Sequence, residues 1–230
     1  MFSATTPTPH LCPWVSPSPQ SVGTLRQEAS AAVRHGDYGT AIDVLTQVLQ
    51  QQPHSAMDYN NRGFVYLKLG QEAAALADLN QALALDPSLD SAYNNRGNYY
   101  AQQGRLTQAL NDYHQALSHN PHNDRARLNL GITLRDMGLH RLALENFNAL
   151  IAFDKLPAHA YAERGRTHYL AGHWNWAMGD YHTALAALGD PTLGNLGGLH
   201  HRLMTWIAEF GLESAEVVHF PRFPEFPQFA

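Results

Sequence analysis

The chain has 230 residues, of which 44% are hydrophobic and 15% charged, with a net charge of −5 and a single cysteine. That is enough apolar content for a sizeable core, while the acidic balance offers no basic stripe for nucleic acid. Cys12 alone cannot form an internal disulfide, and no apolar run approaches the ~20 residues of a membrane span.

Residues 1–21 hold five prolines, several Ser and Thr, and no Lys or Arg. The stretch lacks the basic start and continuous apolar run of a secretion signal, and it predicts a loosely attached Pro-rich arm. Leu11, Trp14 and Val15 are its apolar points, with Trp14 as a partner anchor the less favoured option.

From residue 22 the hydrophobic pattern turns helical and repeats. A first helical pair is expected over 22–52, broken at His35-Gly36-Asp37. The following pairs are expected over 57–69 and 72–85, 91–103 and 106–119, 124–137 and 141–153, and 158–171 and 174–188. Ser55 is placed to cap the third helix, and Pro87 and Pro121 end second helices because proline disfavours helix in the residue before it. Gly36, Gly70, Gly104, Gly138 and Gly172 mark the breaks at a constant spacing of 34. A fixed period of that length is the signature of stacked helical repeats.

Three columns accompany those glycines. Ala29, Gly63, Gly97, Gly131 and Gly165 lie seven residues before them. Ala41, Ala75, Ala109, Ala143 and Ala177 lie five after, and Leu45, Leu79, Tyr113, Phe147 and Tyr181 nine after. Small residues facing small residues, with a bulky filler, predict antiparallel helices whose backbones nearly touch at the glycines.

These columns resemble the tetratricopeptide repeat (TPR). The best matches are Tyr59, Gly63, Tyr66, Ala75, Ala82 and Pro87, then Tyr93, Gly97, Tyr100, Ala109, Tyr113, Ala116 and Pro121. Arg62 and Arg96 stand where the pattern usually has Leu, and Asn-Asn-Arg-Gly resembles a subtype common in bacteria and photosynthetic lineages. The resemblance implies an all-α, right-handed TPR solenoid of five helix pairs over 22–191. A capping helix over 192–211 and a tail over 212–230 would follow it. In the cap, Leu193, Leu196, Leu199, Leu203, Trp206, Ile207 and Phe210 share one face, with Arg202, Thr205 and Glu209 opposite. A dimerisation helix is the alternative.

In this family the first helix of each pair lines a concave groove. The resemblance places Asn60, Asn61, Asn94, Asn95, Asn98, Arg125 and Asn129 there as the partner-binding residues, flanked by Arg26, Arg34, Lys68, His159, Glu163 and Arg166. Each Asn amide offers a donor and an acceptor, suited to an extended peptide backbone. A chaperone-type carboxylate clamp is not matched, since Asn60 and Phe64 replace two of its residues and only Asn95 and Arg125 fit. His114, His119 and His122, and His168, His173 and His182, lack ligand spacing for a metal. No phosphate-cradling loop, nucleophile elbow or carboxylate pair appears. Tyr99, Tyr100, Trp174 and Trp176 are expected in the core or groove.

The tail reads HFPRFPEFPQFA over 219–230. Polyproline II geometry has three residues per turn and would align Phe220, Phe223, Phe226 and Phe229 as a second docking row for a partner, or for the chain's own surface. The expectation is therefore a non-enzymatic, cytoplasmic protein-binding scaffold or assembly factor. It would have no cofactor, metal or nucleic-acid partner and no membrane span, though peripheral attachment to a membrane complex is compatible. A self-assembling structural protein, and an enzyme or metal protein with its site in the groove, are the competing classes.

Overall fold

The computed structural model describes residues 21–189 and 197–209. Among these there are eleven helices and no strand: α1 Val22–His35, α2 Tyr38–Gln51, α3 Ala56–Lys68, α4 Glu72–Leu85, α5 Asp90–Gln102, α6 Leu106–His119, α7 Asp124–Asp136, α8 His140–Ala152, α9 Pro157–Leu170, α10 Trp174–Leu188 and α11 Gly197–Ala208. The chain divides at Pro87/Ser88 into two compact units, α1–α4 and α5–α11. The expected helix pairs are all present, within a residue or two at each end. The N-terminal arm, Leu193, Leu196, Phe210 and the Phe-Pro tail lie outside the described residues.

The local signals act as their chemistry predicts. Ser55 and Asn123 accept hydrogen bonds from the backbone of Asp58 and Ala126, capping α3 and α7. The glycines at the breaks hold left-handed backbone, with φ 68° at Gly104, where the Arg105 N–H closes onto the Tyr100 carbonyl. A side chain there would be strained, which explains the invariant period. The link from α8 to α9 is different. No glycine or repeat-ending proline is available there, and Asp154 and Leu156 take φ 51° and 48° before Pro157 starts α9. Each such residue costs about 1–2 kcal/mol.

The alanine column is fully buried, and the bulky column is 0–3% exposed. The glycine column needs a correction. A Cβ on Gly97 would meet the Tyr113 ring at 2.6 Å, on Gly131 the Phe147 ring at 2.6 Å, and on Gly165 the Tyr181 ring at 2.8 Å. These glycines chiefly make room for the bulky side chain of the partner helix. Backbone approach comes second, with the Ala177 carbonyl 3.0 Å from a Cβ on Gly165.

In the second unit the first helices touch in succession, α5 on α7 and α7 on α9, while each second helix packs between its own first helix and the next. α11 closes this unit, with Leu199 and Leu203 buried against Ala158, Ala162, Tyr181 and Ala184.

Candidate functional site

Asn60 and Asn61 lie on α3 of the first unit, Asn60 buried and Asn61 exposed. The other expected groove residues share the α5–α7–α9 layer of the second unit. Asn94 and Asn95 are buried there. The Asn129 amide donates to Asn94 Oδ1 at 3.0 Å, bridging α7 and α5. The Tyr113 hydroxyl donates to Asn98 Oδ1 at 2.8 Å. Much of the amide row is thus engaged within the fold, stapling neighbouring helices together.

The charged flanks are also largely paired. Arg26 holds Asp58 at 2.6 Å, and Arg34 donates to Ser30. Glu163, 2% exposed, accepts from Arg135 of α7 at 2.5 Å and from Arg202 of α11 at 3.2 Å. Arg166 meets Glu209 at 2.5 Å and lies over the Tyr169 and Trp206 rings. Arg202 and Glu209 therefore reach back to α9 instead of facing away from the cap's contact face.

Arg125 differs. It is exposed on α7 and makes no hydrogen bond or ion pair among the described residues. His159, on α9, is held below the ordinary histidine range by burial and then by Arg202, with Arg125 adding to the effect and Glu163 opposing it. Arg202 and Arg125 thus both act on this histidine of the first-helix layer, against Glu163.

The sequence reading missed one recurring device. Arg62 grips Asp78 through Nε and Nη2 at 2.7 and 2.9 Å, Arg96 grips Asp112 at 2.8 and 2.8 Å, and Arg164 grips Asp180 at 2.8 and 2.6 Å. All three are two-point pairs between the helices of one hairpin, at a sequence separation of 16. The guanidinium groups also lie over Tyr59 and Tyr66, Tyr93, and Tyr161. In the fourth pair Leu130 and Asn146 occupy the two positions, and in the first Glu28 and Val44. The signal was available: Arg stands before the glycine whenever Asp stands before the bulky residue.

Trp174 and Trp176 are not core residues, being 64% and 54% exposed on α10, the second helix of its pair. They fall in the first turn of α10, ahead of its buried stripe, which begins at Ala177. Trp176 packs edge-on to the buried His168 ring at 5.1 Å and tilts against His173 at 5.4 Å. Burial first, then Arg164 and His173, push His168 down to about 4. Among the described residues no group of three His, Cys, Asp or Glu could hold a metal ion, and no helix is long and apolar enough to cross a membrane.

Family models for the tetratricopeptide repeat match residues 27–94 and 91–123. No curated protein matches the sequence. Among solved structures, a thermophilic TPR protein of Thermus thermophilus is 18% identical, with 81% of this chain and 99% of that one covered and a TM-score of 0.70. A tetratricopeptide repeat protein of Parabacteroides merdae ATCC 43184 is 25% identical over 84% of this chain and 75% of its own, at a TM-score of 0.66. PilW, described as a widely conserved type IV pilus biogenesis factor, is 19% identical over 84% and 94%, at 0.68.

Proposed function

Because this chain is a tetratricopeptide-repeat protein, we propose that it works as a non-enzymatic assembly or adaptor scaffold that holds an extended protein segment on its first-helix surface. Repeats of this kind are protein-interaction modules and in general non-catalytic. The observation that carries the assignment is Arg125, an exposed cation with no ion pair among the described residues, set on α7 in a layer whose other charges are largely paired. The segment expected there presents an acidic side chain to Arg125 and its backbone to Asn98 and Asn129. Asn61, exposed on α3, is a candidate contact of the first unit by itself. Asn60, Asn94 and Asn95 act beneath the surface, holding the contact residues in place.

The test is affinity capture from the native cell, comparing the wild type with the Arg125→Glu variant. A specifically captured protein should be lost in the variant while melting stays unchanged. Equal capture by the two would remove this surface from the assignment.

A further inference from the structure

Arg166 stands on α9 two repeats after Asn98 of α5, at the same position of the 34-residue period. It therefore belongs to the row of first-helix positions from which Asn98 meets the bound segment. Its guanidinium is held in place by rings. Tyr169 lies against it at 5.0 Å and Trp206 of α11 at 5.4 Å. Trp206 is fixed in turn by the Tyr181 ring at 5.7 Å and by Arg202 at 5.4 Å. A carboxylate already sits on this cation, that of Glu209, just past the end of α11.

That contact is unlike the Arg–Asp pairs inside the hairpins. There the carboxylates are buried and each is gripped through Nε and Nη2. Glu209 is 35% exposed and accepts from one nitrogen, Nη1. A half-open ion pair gains little over water, whereas a guanidinium can offer an incoming carboxylate two parallel bonds. The cation is preorganised and its occupant is weakly held.

We propose that Arg166 is a second carboxylate-binding position of the first-helix surface, where an acidic side chain of the bound protein segment displaces Glu209. The seat presupposes that this surface holds an extended segment, and it requires that segment to carry an acidic residue besides the one at Arg125. The resident carboxylate identifies the chemistry the seat accepts. Rings stacked on the flat guanidinium fix its plane and leave its edge for a planar acid. Leu199 and Leu203 anchor α11 in the interior, so Glu209 can leave without the helix moving. Glu209 is then an internal competitor, which a singly acidic segment has no means to displace.

Phenylglyoxal, which modifies accessible guanidinium groups, reads each arginine of the full chain by peptide mass mapping. Glu209→Gln changes an exposed side chain and should leave melting unchanged. It should raise the rate at Arg166 severalfold and leave that at Arg141, exposed on α8, as it was. Acetyl-hexaglutamate amide should protect Arg166 in both proteins. Half-protection should need about tenfold less peptide in the variant, as for a seat that is free about a tenth of the time in the wild type. An Arg166 rate indifferent to Glu209→Gln would overturn the proposal, as would equal protecting concentrations. Equal protection of Arg141 would also overturn it, marking a general effect of the polyanion. Protection at Arg166 without protection at Arg125 upholds this seat and removes Arg125 from the surface, whereas the reverse removes Arg166 alone.

Discussion

The ring of Tyr113 lies directly on the α-carbon of Gly97, so that a methyl group added there would stand 2.6 Å from Cε1. Tyr113 is 1% exposed and tied by its hydroxyl to Asn98, so the ring cannot swing away without breaking that bond. Gly97→Val should therefore destabilise the third helix pair by about 1–3 kcal/mol or somewhat more, the cost of overpacking. Thermal unfolding measures it. Gly97→Ala/Tyr113→Leu reproduces the Ala29–Leu45 combination of the first pair and should recover part of the loss. A melting curve for Gly97→Val that overlays the wild type would exclude the ring–glycine contact.

The Arg96–Asp112 pair invites a double-mutant cycle. Asp112 is buried, and Asp112→Asn leaves the guanidinium of Arg96 half matched, while Arg96→Leu strands a buried carboxylate. Each single change should cost about 2–4 kcal/mol, near the range for breaking a buried pair. The double variant carries the Leu and Asn of the fourth pair and should be more stable than the sum of the singles by about 1–3 kcal/mol. Denaturant titration supplies all four corners, and simple additivity would mean that the two side chains are not coupled.

His168 gives a pH dependence whose sign follows from its environment. Its pKa is about 4 in the fold against an ordinary 6.5. As pH falls below 6.5 the unfolded chain takes up a proton that the native state refuses, so stability declines until about pH 4 and then stops responding to this group. The loss is up to about 3 kcal/mol. His168→Tyr, which installs the residue found at Tyr66 and Tyr100, should lessen the decline. The check is the difference in urea midpoint between wild type and variant from about pH 7 to about pH 4, and parallel curves would count against a buried neutral imidazole.

Leu203 anchors α11, being fully buried against α9 and α10. Leu203→Ala should cost about 2–5 kcal/mol. Hydrogen exchange should rise in α11 and in the flanking parts of α9 and α10, and only weakly in α5. A uniform increase over the second unit would argue against α11 as a terminal cap.

Much of this fold was legible from the 34-residue period, because the Gly, Ala and bulky columns are packing requirements that every pair must meet. The candidate surface was less legible. Position in the repeat places Asn94 and Asn129 on first helices, but their bond joins two pairs and depends on an offset that no single repeat displays. Periodicity also assigns Trp174 and Trp176 to an apolar pattern without revealing that both stay exposed in the first turn of α10. The Arg–Asp pairs were readable in principle, as two columns that change together, yet Arg62 and Arg96 look like departures from the family pattern when each is viewed alone. Nothing in Asp154 or Leu156 announces a left-handed backbone. That conformation follows from the missing glycine and the shifted proline around them.

The Arg–Asp pairs also bear on how such a chain can change length. Arg62–Asp78, Arg96–Asp112 and Arg164–Asp180 each close within one repeat unit. A tandem duplication of that unit copies both charges together and leaves neither unmatched in the interior, where a stranded charge costs several kcal/mol. Arg26–Asp58 and Arg135–Glu163 instead straddle successive pairs. Excising the fourth pair would remove Arg135 and leave the buried Glu163 with Arg202 alone. Copying the third pair is therefore electrostatically silent at these ion pairs, whereas copying the second or fifth would double the buried Asp58 or Glu163 without a second Arg26 or Arg135.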